Sequence, residues 1–480
     1  MKFHFSRGAW LAALVLWACS AFTPVRAQYN VLSEFGNLVD CDTMSRGIFC
    51  VWWDNDWNVA PVADELLDTL NVFRDVCLND LGMQDPPNPP AGHFYNVYLH
   101  QGGADVFPSF FGNGQGTDVY GFPYLAIGAN ANADWGNVAH ETFHIFQYSA
   151  TSPGFAYSGD SQWYIEASAN WFAGQRYPDE DRAFVEAMSL VRLSHVPLWL
   201  SYDNMPQDYP QNWQRFVHQY AMALWLYYMT EEDGIPATFI TQGLYAGTAE
   251  LPQEYFFNQI GASLFRTSFL NWAAHMTNQF DFLTPDQYTT NQNEWNSYAD
   301  PLDNNEYLQT YMNTGSGGWY RPADSLITCA WSFNTYRVHN SMPQTYSFQL
   351  AADAFGSQGG ASEFMGMVVV QNSVSGTSFL PLNMQDAQTG SLILNLMPED
   401  TTAYFIIASV PEVFTGVDQR FGYDMRIETI STGIHAVEAA RNLIESSRCD
   451  LLGRAAQRNG TGPQIIRYTD GSVRKVQVVR

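Results

Sequence analysis

Lysine is almost absent from this 480-residue sequence, which contains it only at Lys2 and Lys475. Lysine and arginine together number 22 against 48 aspartates and glutamates, so the formal net charge is −26 and the pI is near 4.5. Proteins that bind nucleic acids need basic side chains clustered against the phosphates. The composition therefore argues against nucleic acid as a partner.

Long apolar runs are also missing after the first part of the chain. A membrane-spanning helix needs roughly 18 or more apolar residues, so we expect no integral membrane segment in the mature protein. Residues 1–27 have the pattern of a signal peptide, because Lys2 and Arg7 precede the apolar stretch 9–22 and Ala27 is a small residue suited to cleavage. We therefore expect export across the inner membrane and a secreted or cell-surface protein.

The six cysteines contain no pair at CxxC spacing, so zinc ribbons and CxxC redox motifs are excluded. Cys19 lies in the signal peptide, where a lipoprotein anchor is a second interpretation, but Trp17 is bulky where a lipobox needs a small residue. Five cysteines follow, and Cys449 would leave with a cleaved C-terminal tail. The other four permit two disulfides in three connectivities, which the sequence leaves open.

The hydrophobic pattern predicts an α+β protein in which a catalytic domain with a helical subdomain, residues 28–325, is followed by a β-sandwich, 326–430, and a short β tail, 431–480. In the first region the predicted strands are 47–53, 95–99 and 122–127, and the predicted helices are 62–81, 134–149 and 213–230. In the second region, short alternating strands between Gly, Ser and Asn turns lie at 346–350, 365–370, 391–396 and 404–410. Such strands are typical of a sandwich.

The motif His140-Glu141-Thr142-Phe143-His144 carries specific chemistry. Two histidines four positions apart on a helix project from one face, so both can bind the same metal ion. Glu141 follows the first histidine, where its carboxylate can take a proton from metal-bound water. The pattern favours zinc, which keeps a position open for water when it has three protein ligands. Two hydrogen-bonded histidines of an ordinary buried helix are the alternative, and additional calcium sites are left open.

Segment 163–169 (WYIEASA) resembles the W-x-x-E-[GA]-x-A segment of gluzincin zinc peptidases, such as thermolysin-like, aminopeptidase-type and clostridial-collagenase-type enzymes. With the HExxH motif, the resemblance implies a zincin-like metalloprotease domain. It implies that His140, His144 and Glu166 hold the zinc and that Glu141 is the general base. A solvated helix carboxylate is the alternative for Glu166, but the flanking tryptophans and alanines favour a buried helix.

Two positions depart from related patterns. Gluzincins usually have glycine after the third ligand, whereas this chain has Ala167. Asn170, one turn after Glu166, stands where thermolysin-like enzymes place an aspartate that orients a zinc histidine, and its amide oxygen can accept the same hydrogen bond. The metzincin pattern HExxHxxGxxH is excluded, because Gln147 replaces its glycine.

Water attack on a peptide also requires a donor for the developing oxyanion. In similar enzymes a tyrosine or histidine downstream of the glutamate plays this role. His218 and Tyr220 are the candidates here, with Tyr220 slightly ahead. Core packing in an aromatic-rich helix is the alternative for both residues.

The end of the chain resembles the C-terminal sorting domain of type IX secretion in Bacteroidetes. The resemblance is carried by segments 447–454 (SRCDLLGR) and 464–476 (QIIRYTDGSVRKV), although segment 462–464 (GPQ) replaces the usual Gly-x-Tyr lead-in. It implies the secretion machinery as a partner of the tail. An ordinary terminal hairpin that turns at Asp470-Gly471 is the alternative.

These features predict a secreted zinc-dependent endopeptidase that acts on protein or peptide substrates. Two other classes stay open: an extracellular zinc-containing protein that binds glycans or proteins, and a zinc hydrolase of non-peptide amides. An intact Glu141 favours catalysis, because a structural zinc site needs no base beside its ligand.

Overall fold

The structure, a computed structural model, describes residues 41–86, 94–102, 113–118, 121–180, 190, 193–202, 204–205, 212–277, 280–287, 312–314, 317–352, 363–412, 414, 416, 419–430, 445–450, 454–456, 462–468 and 473–478. The expected signal peptide lies outside these residues. The chain divides into two compact units, of which the first is Met1–Leu78 with Gln84–Ser149 and the second is Asn79–Met83 with Ala150–Arg480.

A five-stranded mixed sheet forms the centre of the first unit. Its strands are β1 Cys41–Arg46, β2 Phe49–Asp54, β3 Tyr95–His100, β4 Gly114–Thr117 and β5 Pro123–Gly128. They lie in the order β1-β2-β3-β5-β4. The three inner strands run parallel, while β1 and β4 pair antiparallel at the edges. Every residue of β3 is buried, as expected for an inner strand of a parallel sheet.

Two helices accompany this sheet. Helix α1, Ala60–Asp75, contacts β1 and β2, and its buried residues recur at helical spacing: Ala63, Leu66, Leu67, Leu70 and Phe73. Helix α2, Trp135–Gln147, contacts β5, β4 and α1. Asp134 caps α2 as predicted, because its Oδ1 accepts a hydrogen bond from the Asn137 amide at 3.1 Å.

The described helices of the second unit are α3 Gln162–Arg176, α4 Asn212–Ala221, α5 Ala223–Tyr227, α6 Ala237–Gln242, α7 Pro252–Ile260 and α8 Ala262–Thr277. Helix α3 packs against α4 and α5. The single helix predicted for 213–230 is therefore divided, since α4 and α5 are separate and a π-helical turn, Tyr228–Glu232, follows them.

The β-rich region of the second unit consists of β6 Met312–Thr314, β7 Tyr320–Pro322, β8 Thr328–Cys329, β9 Ser332–His339, β10 Gln344–Ala352, β11 Phe364–Asn372, β12 Gly376–Pro381, β13 Asn383–Met384, β14 Thr389–Leu396, β15 Asp400–Ser409, β16 Arg420–Phe421 and β17 Tyr423–Ile430. Six strands form one sheet in the order β13-β14-β10-β17-β7-β6, and four form another in the order β12-β11-β15-β9. Phe348 of the first sheet meets Phe405 of the second with 5.5 Å between ring centroids. These facing rings form the core expected of a sandwich, and the predicted α+β class is confirmed.

The tail forms a three-stranded antiparallel sheet of β18 Glu445–Asp450, β19 Gly462–Tyr468 and β20 Val473–Val478. The short β tail predicted here is confirmed, whereas the turn at Asp470-Gly471 lies outside the described residues. The two disulfides that the sequence permits are not formed among the described cysteines. In the described part of the chain, no helix has both the length and the apolar character needed to cross a membrane.

Candidate metal centre

The two histidines of the HExxH motif converge on helix α2. Their four-residue spacing places His140 and His144 on one face, and their Nε2 atoms lie 3.1 Å apart. The ring centroids are 4.7 Å apart, and the ring planes are nearly perpendicular at 87°. Both side chains are buried, with only 8% of His140 and 1% of His144 exposed. Two imidazole nitrogens therefore face the same small space.

Gln147 fixes the tautomer of His144. The Nδ1 atom of His144 lies 2.6 Å from Oε1 of Gln147, which is itself buried. Because an amide oxygen accepts hydrogen bonds and cannot donate them, Nδ1 of His144 carries the hydrogen. The lone pair then lies on Nε2, the atom that faces His140. This is the form in which a neutral histidine binds a metal.

Glu166 completes the group of donors. It lies on helix α3, which is buried over most of its length as the flanking tryptophans and alanines predicted. The ligand atoms of His140, His144 and Glu166 all lie within 4.8 Å of one another. Burial of a carboxylate is costly unless it is paired or binds a metal, and Glu166 is only 9% exposed. Two imidazole nitrogens and one carboxylate oxygen, buried together, can hold a metal ion.

Glu141 follows His140 on the same helix, and its side chain is 9% exposed. A buried carboxylate next to a candidate metal ligand has the position expected of a base that takes a proton from water. Its role as the general base stays a prediction.

The remaining predicted residues lie on helices α3 and α4. Asn170 is half-buried, and its backbone oxygen accepts a hydrogen bond from the Tyr227 hydroxyl at 3.1 Å. Tyr220 is also half-buried. His218 is fully buried, and its Nε2 donates to the Pro197 carbonyl at 3.4 Å. Burial lowers the pKa of His218 to about 4, so its ring is neutral near pH 7. The orienting role of Asn170 and the oxyanion roles of Tyr220 and His218 stay predictions.

Gln147 is a residue of the candidate site that the sequence alone did not identify. In the sequence it served only to exclude the metzincin pattern. Its position three residues after His144, on the same helix, was the available signal, because side chains at this spacing are neighbours on a helix surface. A glutamine there can accept a hydrogen bond from the histidine that precedes it.

We expect Gln147→Ala to raise the dissociation constant for zinc about 10- to 100-fold, because His144 loses the acceptor that holds its ring and tautomer. Gln147→Glu should retain tight binding, since a carboxylate accepts the same hydrogen bond. Zinc competition with a chromogenic chelator measures both values, and the exposed Gln175→Ala is the matched control. An unchanged dissociation constant for Gln147→Ala would remove the assigned role.

The model of one protein family, described as "Family of unknown function (DUF6055)", matches residues 63–429. The chain belongs to this family. The matched segment includes both motifs of the candidate metal centre and all of the sandwich except its last residue, Ile430. No curated protein matches the chain.

Several solved structures, which belong to different classes of protein, show slight similarity to this chain. The M60 catalytic domain with its CBM51-1 and CBM51-2 domains from Clostridium perfringens is 8% identical, over 92% of this chain and 68% of that chain, with a TM-score of 0.28. The pre-peptidase C-terminal domain of a Bacillus anthracis collagenase is 4% identical, over 25% of this chain and 90% of its own, with a TM-score of 0.16. A family 35 carbohydrate binding module from an environmental isolate is 16% identical, over 26% of this chain and 85% of its own, with a TM-score of 0.15. At such low TM-scores these similarities carry no argument about function.

Proposed function

We propose that this protein is a zinc-dependent metallopeptidase of the gluzincin type that hydrolyses internal peptide bonds of protein substrates. The observation that carries the proposal is the buried group of His140, His144 and Glu166, whose ligand atoms lie within 4.8 Å of one another. Nitrogen and carboxylate donors in this number are the ligands of catalytic zinc, which leaves a position for water.

A zinc ion bound there would supply Lewis acidity and lower the pKa of bound water toward neutrality. The chain's own residues hold the metal and transfer the protons. His144, held by Gln147, presents its Nε2 lone pair to the site. The Glu141 carboxylate takes a proton from the attacking water and passes it to the leaving amine. The Glu166 carboxylate, which helix α3 carries, adds negative charge to the ligand set.

Tyr220 is our preferred donor to the oxyanion that forms on the substrate carbonyl. The alternative, His218, already uses its Nε2 in the hydrogen bond to Pro197 and is fully buried. Tyr220 is only half-buried, so part of its side chain is accessible to a substrate, and a tyrosine hydroxyl can donate a hydrogen bond to an oxyanion.

Strand β4 supports a peptide as the substrate. It is an edge strand of the described sheet, and it contacts helix α2, which carries the motif histidines. An extended peptide can pair its backbone with such an edge, so that main-chain hydrogen bonds align it for cleavage. Digestion of casein or gelatin by the zinc-loaded wild type, compared with Glu141→Gln, tests the proposed activity.

We also propose that the protein is exported by its signal peptide and delivered to the cell surface by its tail. The tail's three strands form a sheet of their own, which supports its interpretation as a sorting domain. Deletion of residues 434–480 is expected to leave an active enzyme trapped in the periplasm, as fractionation and casein digestion would show. Normal surface delivery of the truncated protein would mean that the tail is only a terminal sheet.

A further inference from the structure

The helix that carries Glu166 is capped by a residue from a distant segment. Its own N-cap residue, Ser161, makes no capping hydrogen bond, and the Ser161 hydroxyl donates instead to the Ala156 carbonyl at 2.5 Å. The amide of Trp163, in the first turn of α3, donates to Oγ of Ser201 at 3.0 Å. Ser201 is fully buried and its hydroxyl donates to the Gly159 carbonyl at 3.3 Å. The hydroxyl of the buried Ser201 therefore forms one hydrogen bond with the first turn of α3 and another with Gly159, which precedes the helix.

Ser201 belongs to a segment, residues 193–202, that we call the strap. The strap is tied to the sandwich by two backbone hydrogen bonds. Cys329 of β8 donates to the His195 carbonyl at 2.9 Å, and Phe333 of β9 donates to the Ser194 carbonyl at 2.8 Å. A buried apolar cluster strengthens this attachment; it contains Leu193, Val196, Leu200, Met205 and Cys329.

Helix α4 also holds the strap in place, through two hydrogen bonds. His218 donates through Nε2 to the Pro197 carbonyl at 3.4 Å, and Oε1 of Gln219 accepts from the Tyr202 amide at 2.9 Å. Both side chains are almost completely buried. The strap is thus fixed by the sandwich and by α4, and it can hold the helix start in one place.

The side chain of Trp163 is also held in place, in part by residues of the strap. Its indole Nε1 donates to Oε1 of Gln253 at 3.2 Å. Its ring lines a narrow pocket together with Leu198 and Trp199 of the strap and with Trp331, which precedes β9. Trp163 lies three residues before Glu166, so its backbone and ring help to fix the part of the helix from which the carboxylate projects.

We propose that the strap couples the sandwich to the metal centre, and that Ser201 is the positioning residue through which it acts. Without the cap, the first turn of α3 loses the partner of a buried amide, and that turn frays. Fraying of this turn moves Glu166, because Glu166 lies within the first turn and a half of α3. The sandwich is then part of the catalytic scaffold and not a detachable module. The inference rests on the proposed role of Glu166 as a metal ligand.

Three variants of the full-length protein test this coupling. Ser201→Ala removes the cap, Ser201→Thr retains a hydroxyl, and Ser168→Ala removes a buried hydroxyl that bonds the Tyr164 carbonyl within α3 itself. The zinc dissociation constant and the hydrogen exchange of amides in α3 are measured for each. We expect Ser201→Ala to weaken zinc binding about 5- to 30-fold and to speed exchange in the first turn of α3. Ser201→Thr should recover most of both losses, and Ser168→Ala should show neither.

The two readouts separate the failure of the coupling from the failure of the proposed function. If Ser201→Ala binds zinc as tightly as the wild type and its exchange is unchanged, the coupling is wrong. If Ser168→Ala has the same effects as Ser201→Ala, the loss of any buried hydroxyl near the site weakens zinc binding and speeds exchange, and the coupling is again wrong. If the wild type binds no zinc, the metallopeptidase proposal fails, and hydrogen exchange alone then decides whether Ser201 holds the helix start.

Discussion

Glu141→Gln is expected to bind zinc like the wild type and to hydrolyse casein about 10²- to 10⁴-fold more slowly. The amide fills the space of the carboxylate, so the ligand set of His140, His144 and Glu166 is unchanged. It cannot take a proton from the attacking water, which is the step assigned to Glu141. Metal analysis and initial rates of casein hydrolysis, measured on the same preparations, give both quantities.

The matched control for this variant is Glu399→Gln, which neutralises an exposed carboxylate of the sandwich. It should change neither zinc content nor rate. Wild-type activity in Glu141→Gln would show that another group accepts the proton. Loss of zinc in this variant would show that Glu141 is a ligand and that the roles of the two buried glutamates are exchanged.

Removal of either motif histidine is expected to abolish zinc binding. His140→Ala and His144→Ala each delete one of the two Nε2 donors that lie 3.1 Å apart, and the two ligands that remain cannot hold catalytic zinc. Glu166→Gln should be milder, because it keeps an oxygen ligand but loses its charge. Its zinc affinity should fall, and added zinc should restore part of its activity. Metal content after dialysis and activity against added zinc distinguish these outcomes.

The exposed His339→Ala controls for the loss of a histidine as such. Full zinc content in both motif variants would contradict the ligand assignment. Suppose that Glu166→Gln keeps the zinc content and activity of the wild type while Glu141→Gln loses its zinc. The third ligand would then lie elsewhere.

The residues of the candidate metal centre could be predicted from the sequence because their signals are local. The spacing of His140 and His144 depends only on helix geometry. The Asp134 cap and the buried helix around Glu166 are also short-range features, and both are present. Each of these predictions required no knowledge of which segments meet in the fold.

The features that the sequence did not predict depend on distant partners. Strand β4, Gly114–Thr117, has no apolar alternation and two glycines, and its pairing is supplied by β5. Strand β10 lies between β14 and β17, an order that hydrophobic patterning does not specify. Ser201 caps a helix that begins far earlier in the chain, so no capping motif is visible near Glu166. Local patterns identify the elements, and long-range pairing decides how the site is supported.

The most direct test of the proposed zinc centre is anomalous diffraction at the zinc edge from crystals of the purified protein. We predict one strong anomalous peak, about 2 Å from Nε2 of His140, from Nε2 of His144 and from a carboxylate oxygen of Glu166. A zinc-supplemented crystal without a peak at these three residues, or with its zinc bound by other side chains, would contradict the account.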